Sequence, residues 1–282
     1  MIAMKPIPIK ALLLCCAAWC VAPNALADAV LTCYDRKLQA PTTPMTKELF
    51  ILIDQTVLLD DTLKQSVANQ IRPFLTPGSG FSVLVFSAYT QGKYTQLLTT
   101  GQLDAPLSTA QRNDVSKVVL AKFDQCMARQ PALAAQAVGG ALRAAFDGSS
   151  GDIAKSDVFA SLKDISGRVR QSKASEKVVL LVSDMLENSS VTSFYANQAL
   201  RRIDPEKELK LALDNQLIAD FANARMYVLG AGLLNDDGKK NKAVYRDPKT
   251  MQALSSFWMS YFEKSKAKLI EFGQPALLSP IQ

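Results

Sequence analysis

ELFILIDQT, residues 48 to 56, and KVVLLVSD, residues 177 to 184, are apolar runs that each stop at a carboxylate, Asp54 and Asp184. Apolar residues without alternation mark strands covered on both faces, as in a parallel sheet. Open α/β folds place their ligand crevice outside the carboxyl ends of such strands. The two aspartates are therefore the first candidates for a functional site.

Four more runs extend the sheet: FSVLVFS at 81–87, KYTQLLT at 93–99, RMYVLGAG at 225–232 and AKLIEF at 267–272. The Gln91-Gly92 turn between the first two of these is too short for a crossover, so that pair must be antiparallel and KYTQLLT an edge strand. Between the runs lie helical patterns. Leu63, Val67 and Ile71 recur at helical spacing from about Asp60 to Arg72, and Pro73 with Pro77-Gly78 ends that helix. Residues 108–147 read as helical with a break near Pro131, and 153–171 as a further helix. Leu209, Leu213, Leu217 and Phe221 form one stripe over 205–222, with Pro205 in the first turn. Asp247 caps a last helix that Pro248 opens and that turns Met251, Leu254, Trp258 and Phe262 inward. The alternation predicts a doubly wound α/β fold: a mostly parallel six-stranded sheet, one antiparallel edge strand, and helices on both faces. Gly230-Ala231-Gly232 reads as a tight turn, because it lacks the third glycine of a phosphate loop and follows a late strand.

Lys5 and Lys10 precede the apolar run ALLLCCAAWCVA and then Ala25-Leu26-Ala27, the layout of a secretory signal peptide cut after residue 27. The run is shorter than the roughly 20 residues of a membrane-spanning helix, so no stable membrane insertion of the mature chain is expected. The style of the signal suggests a bacterial periplasm, periplasmic or secreted location being the expectation. An arm at 28–47, a single domain at 48–273 and a tail at 274–282 complete the organisation. Three of the five cysteines leave with the signal. The remaining pair, Cys33 and Cys126, suggests one disulfide in an exported protein, the alternative being two buried thiols. Net charge is +6, or +4 without the two signal lysines, which is only mildly basic. The lysines of NDDGKKNK at 235–242 have no interleaved aromatics, so a nucleic-acid partner is not expected. The chain has no histidine, which excludes Ser-His-Asp and Cys-His catalysis and His-ligated zinc.

The arrangement resembles the von Willebrand factor A (vWA) domain, whose first strand ends in Asp-x-Ser-x-Ser, whose middle helix opens on a Thr-Asp-like pair and whose later core strand ends in Ser-Asp. Asp54-Gln55-Thr56, Ser156-Asp157 and Ser183-Asp184 stand at those places, while Leu58 replaces the second serine. The resemblance covers about residues 47–273. It implies a metal-ion-dependent adhesion site in which Asp54, Thr56, Ser156 and Asp184 hold Mg²⁺ or Mn²⁺ through hard oxygens. Loss of a hydroxyl at Leu58 makes that site degenerate. The implied function is a binding or scaffold module that recognises a protein partner, with Glu187, Phe194 and Tyr195 in the adjoining loop. Phe194-Tyr195 either lines the ligand surface or packs against the first strand. Two other readings remain: a hydrolase using the paired carboxylates Asp54 and Asp184, and a metal-free structural subunit of an envelope assembly. Strand-end aspartates also order turns and cap helices without any ion.

Overall fold

The computed structural model describes residues 30–35, 38, 40, 45–87, 95–151, 156–196, 199–234 and 247–282. The expected signal segment, the Gln91-Gly92 turn and the 235–242 lysine cluster lie outside the described residues. The main sheet contains β1 (Lys47–Asp54), β2 (Ser79–Phe86), β3 (Gln96–Gln102), β4 (Glu176–Val182), β7 (Ala224–Leu229) and β8 (Ala267–Phe272). Its order is β3-β2-β1-β4-β7-β8, and β5 (Tyr195–Ala196) pairs separately with β6 (Ala199–Leu200). All neighbours in the large sheet are parallel except β2 and β3. The predicted six strands and antiparallel edge are thus present, with β3 beginning at Gln96 and running on to Gln102.

Strand β1 lies at the centre because both its faces are apolar. Leu49, Ile51 and Ile53 join one core, under α1 (Asp61–Ile71) and α3 (Lys117–Asp147). Phe50 and Leu52 join the other, under α4 (Val158–Gln171), α5 (Pro205–Asp214) and α6 (Pro248–Lys264). Strand β4 is equally enclosed, Val178 through Val182 all being buried. Burial of each such side chain stabilises the fold by about 1.5–3 kcal/mol before the cost of ordering it.

The helix starts follow their caps. Asp60 accepts from Leu63 N at 2.8 Å, and Asp247 accepts from Thr250 N at 3.1 Å with Pro248 behind it. Two expectations need correction. The 108–147 segment does not break at Pro131: α2 (Thr109–Asn113) stops early, and α3 then runs unbroken through the proline. Clamps on the preceding turn offset the missing amide. Gln130 is buried and donates to Leu31 O at 2.9 Å and Asp104 Oδ2 at 2.8 Å, and Cys126 is bonded to Cys33. The stripe over 205–222 does not form one helix either. Helix α5 ends at Asp214, Gln216 takes a left-handed φ of 56°, and Leu213 is left largely exposed while Phe221 packs from the loop beyond.

Cys33 and Cys126 form the disulfide, across a separation of 93 residues. It joins the N-terminal arm to the first half of α3, where Tyr34 and Phe123 pack with Leu38 and Leu107 into a small satellite core. Asp104 makes the second tie, accepting from Thr32 Oγ1 at 3.0 Å. Replacing both cysteines by serine is expected to lower stability by about 2–4 kcal/mol, the typical range and somewhat below the roughly 4.6 kcal/mol that the chain-entropy model gives for so long a loop. A fall in the urea midpoint with unchanged far-ultraviolet circular dichroism is the expected result.

Candidate functional site at the carboxyl edge of the sheet

Register brings the site together. Ile53 on β1 is level with Val182 on β4, so Asp54 and Ser183 emerge side by side one residue later. Side chains alternate along a strand, and both follow residues that point toward α1 and α3, so both turn to the opposite face, where α4 and α6 lie. The Asp54 carboxylate consequently meets donors from three segments. Its Oδ1 accepts from Thr56 N at 3.0 Å and Thr56 Oγ1 at 2.6 Å. Its Oδ2 accepts from Ser183 Oγ at 2.8 Å and Ser156 Oγ at 3.4 Å. Four donors fill the roughly four acceptor positions of a carboxylate. Burial nevertheless drives the Asp54 carboxyl above its ordinary value, against the pull of these hydrogen bonds.

Asp184 opens the turn after β4. Its Oδ1 accepts from Leu186 N at 2.9 Å and its Oδ2 from the Tyr195 hydroxyl at 3.0 Å. Burial, and then the neighbouring Asp54 charge, push this carboxyl well above its usual range. Met185 takes a left-handed φ of 62°, a costly conformation for a long side chain. It is held there by its own N–H donating to Ser183 Oγ at 3.0 Å and by Trp258 Nε1 donating to its carbonyl at 2.9 Å. Gly232, at φ 72°, donates its N–H to Asp184 O at 2.8 Å, which is the structural use of the Gly230-Ala231-Gly232 turn.

Asp54, Thr56, Ser156 and Asp184 are thus gathered in one place. Leu58, where the vWA pattern has a hydroxyl, is 53% exposed and its side chain carries no oxygen. The donor set still suits a hard cation. Thr56 and Ser156 direct their protons to Asp54, so each hydroxyl would meet an ion with its oxygen, and Asp184 has acceptor positions beyond the two in use. Asp54 would act through those hydroxyls, since its own acceptor positions are filled.

The three residues of the adjoining loop are placed differently from one another. Phe194 is fully buried, edge-on to Phe257 at 5.4 Å and to Phe159 at 6.2 Å, so it belongs to the aromatic core and offers no surface to a partner. Glu187 is 1% exposed and its Oε2 accepts from Phe159 N at 2.9 Å, so it too is withdrawn from the surface. It supplies the first turn of α4 with an acceptor that Asp157, at the cap position, does not provide. Tyr195 alone is half-buried, with its hydroxyl on Asp184. Sequence reasoning missed Ser183 as a ligand of Asp54, although its position beside Asp184 was the available signal. It also missed Arg201, which donates to Ser193 O at 2.6 Å and Glu208 Oε1 at 2.5 Å and so pins the loop from below. A cavity of about 310 Å³ lies elsewhere, between β3 and α4, lined by Leu84, Thr95, Arg168 and Gln171 among others.

The strand order, the antiparallel edge and a hydroxyl-rimmed aspartate after the central strand agree with the fold and the loop placement that the resemblance to the vWA domain implies. No protein-family profile and no curated protein matches the chain. Solved structures do. The vWF domain of the type V pili tip protein Mfa5 from Porphyromonas gingivalis is 13% identical over 63% of this chain and 53% of that one, with a TM-score of 0.32. The pilus adhesin SpaC from Lactobacillus rhamnosus GG is 13% identical over 80% of this chain and 31% of that one, at 0.36. The TFIIH p34 N-terminal domain is 11% identical over 82% of this chain and 93% of that one, at 0.35. This chain spans about half the length of the Mfa5 domain structure. At such identities and scores nothing about residues or partners carries over.

Glu187 gives a pH signature. Burial pushes its carboxyl from 4.5 up to about 8. A group that binds its proton more tightly when folded adds stability that is fully present below about pH 4.5 and lost by about pH 8. Glu187→Gln keeps an acceptor for Phe159 N and removes the titration. The stability of the variant relative to the parent, measured by urea unfolding, is expected to rise across that window by up to about 4–5 kcal/mol.

Proposed function

We propose that this chain is an exported vWA-like binding or scaffold module that recognises a protein partner at the carboxyl edge of its sheet, with a divalent cation, Mg²⁺ or Mn²⁺, on the Asp54–Asp184 floor. The observation that carries the reading is the convergence of Thr56, Ser156 and Ser183 on one buried carboxylate, Asp54. Three loops are held in one fixed arrangement there, and a rigid, preformed rim is what specific recognition needs. Thr56, Ser156 and Asp184 would hold the cation directly. When bound, such an ion supplies a Lewis-acidic position for a carboxylate of the partner. Export is supported by the signal-like first 27 residues and by the Cys33–Cys126 disulfide, which suits an oxidising compartment. No described helix is long and apolar enough to cross a membrane.

A hydrolase reading has less support. Both carboxylates are buried and hydrogen-bonded, and the one cavity described above contains neither. A metal-free scaffold differs from the main proposal only in its indifference to cations.

Two measurements test the reading. Mn²⁺ or Mg²⁺ at a hundredfold excess over its dissociation constant should stabilise the protein by about 2.7 kcal/mol relative to chelator, and Asp184→Asn should remove that gain. Identical melting curves with cation and chelator would sink the cation. A photo-crosslinker placed at the exposed Leu58, at the rim, should yield a discrete protein adduct in the native host, whereas one at Leu213 on α5 should not. Absence of any rim-specific adduct overturns the recognition surface.

A further inference from the structure

Tyr195 reaches the Asp184 carboxylate from outside the loops that carry Asp54, Thr56 and Ser156. It sits on β5, the first strand of the small β5–β6 ladder, and its hydroxyl reaches Asp184 Oδ2 at 3.0 Å. That ladder is firmly seated. Phe194, next to it, is locked between Phe159 and Phe257, with the Arg201 guanidinium over its ring at 5.8 Å. Arg201 is itself held by Glu208, which also accepts from Thr192 Oγ1 at 2.9 Å. The phenol is therefore presented to Asp184 by a fixed frame and not by a loose loop.

A hydroxyl that donates to a carboxylate competes with a cation for the same oxygen. It takes an acceptor position and disperses part of the negative charge that would attract the ion. We propose that Tyr195 is a built-in competitor of the cation at Asp184 and sets the affinity of the site. While the phenol donates to Oδ2, an ion at Asp184 meets a carboxylate whose charge is partly taken up by that hydrogen bond. The inference rests on reading Asp54, Thr56, Ser156 and Asp184 as a cation site.

The test uses Tyr195→Phe, which keeps the ring and removes only the donor. Mn²⁺ is titrated against the parent protein, Tyr195→Phe and the double variant Tyr195→Phe/Asp184→Asn, with free Mn²⁺ read by electron paramagnetic resonance. Melting without cation establishes that each protein is folded. A hydrogen bond to a charged group is worth enough that Tyr195→Phe should bind Mn²⁺ about tenfold tighter than the parent, or more. The added Asp184→Asn change should abolish that gain. Equal or weaker binding by Tyr195→Phe overturns the competitor role while leaving the cation site standing. No binding by either protein overturns the cation site and the competitor with it. Tight binding that survives Asp184→Asn places the ion elsewhere and likewise overturns the proposal.

Discussion

A carboxylate buried at the end of the central strand has to be neutralised or fully hydrogen-bonded, and the loops over the carboxyl edge are arranged around that demand. An unpartnered buried charge is costly enough that most chains avoid one. Asp54 meets the requirement with donors from its own loop, from the segment before α4 and from the end of β4. Because one acceptor group joins all three, the loops cannot move independently. Removing the carboxylate would leave several buried donors without an acceptor, so the cost would exceed the loss of a single bond.

The same economy continues one layer further in. The segment from Ser183 to Arg201 belongs as much to the core as to the rim. Phe194 packs in the aromatic cluster, Trp258 ties down the Met185 carbonyl, and Glu187 stands in for a helix cap. Each of these contacts takes a side chain that could have faced a partner and turns it toward rigidity. Of the rim side chains named above, Tyr195 is half-buried and Leu58 exposed. A partner docking at this edge, as proposed, would meet a shape set largely in advance, because these side chains have little freedom left to lose on binding.

The strands were legible because their patterns are unambiguous. LFILI (49–53) and VVLLV (178–182) have no polar residue to suggest a solvent face, and both are covered on each side. Asp247-Pro248 likewise announced its helix through local chemistry. The misreadings share a cause, which is tertiary override of a local signal. Pro131 reads as a break until the disulfide and the buried Gln130 are known to grip the turn before it. Leu213 and Leu217 complete a helical stripe on paper, but the chain turns at Gln216. Glu187 looks like a surface loop charge because nothing in its neighbourhood reveals that α4 lacks an acceptor at its own start. Asp54 and Asp184 were found from strand ends alone. Their separate roles were not, because donor saturation depends on register between β1 and β4, which no single segment encodes.

Two adjacent carboxylates, both raised by burial and neither ion-paired to a lysine or arginine among the described residues, leave the site with excess negative charge to be offset. A proton or a cation can do it, and each excludes the other, because protonating Asp184 removes the charge that holds the ion. Tyr195 shifts this balance in a third way. Burial and the Asp184 charge push its phenol above the ordinary value, which favours the protonated, donating form. It stabilises the Asp184 anion without an ion, which weakens the demand for the proton and for the cation alike. If the proposed cation binds, Leu58 offers it no hydroxyl where the vWA pattern has one and the Tyr195 phenol lessens the need for it, so the two features act in the same direction. The scaffold of loops around Asp54 is meanwhile untouched by either, since its four donors come from residues that no ion need contact in order to hold them in place.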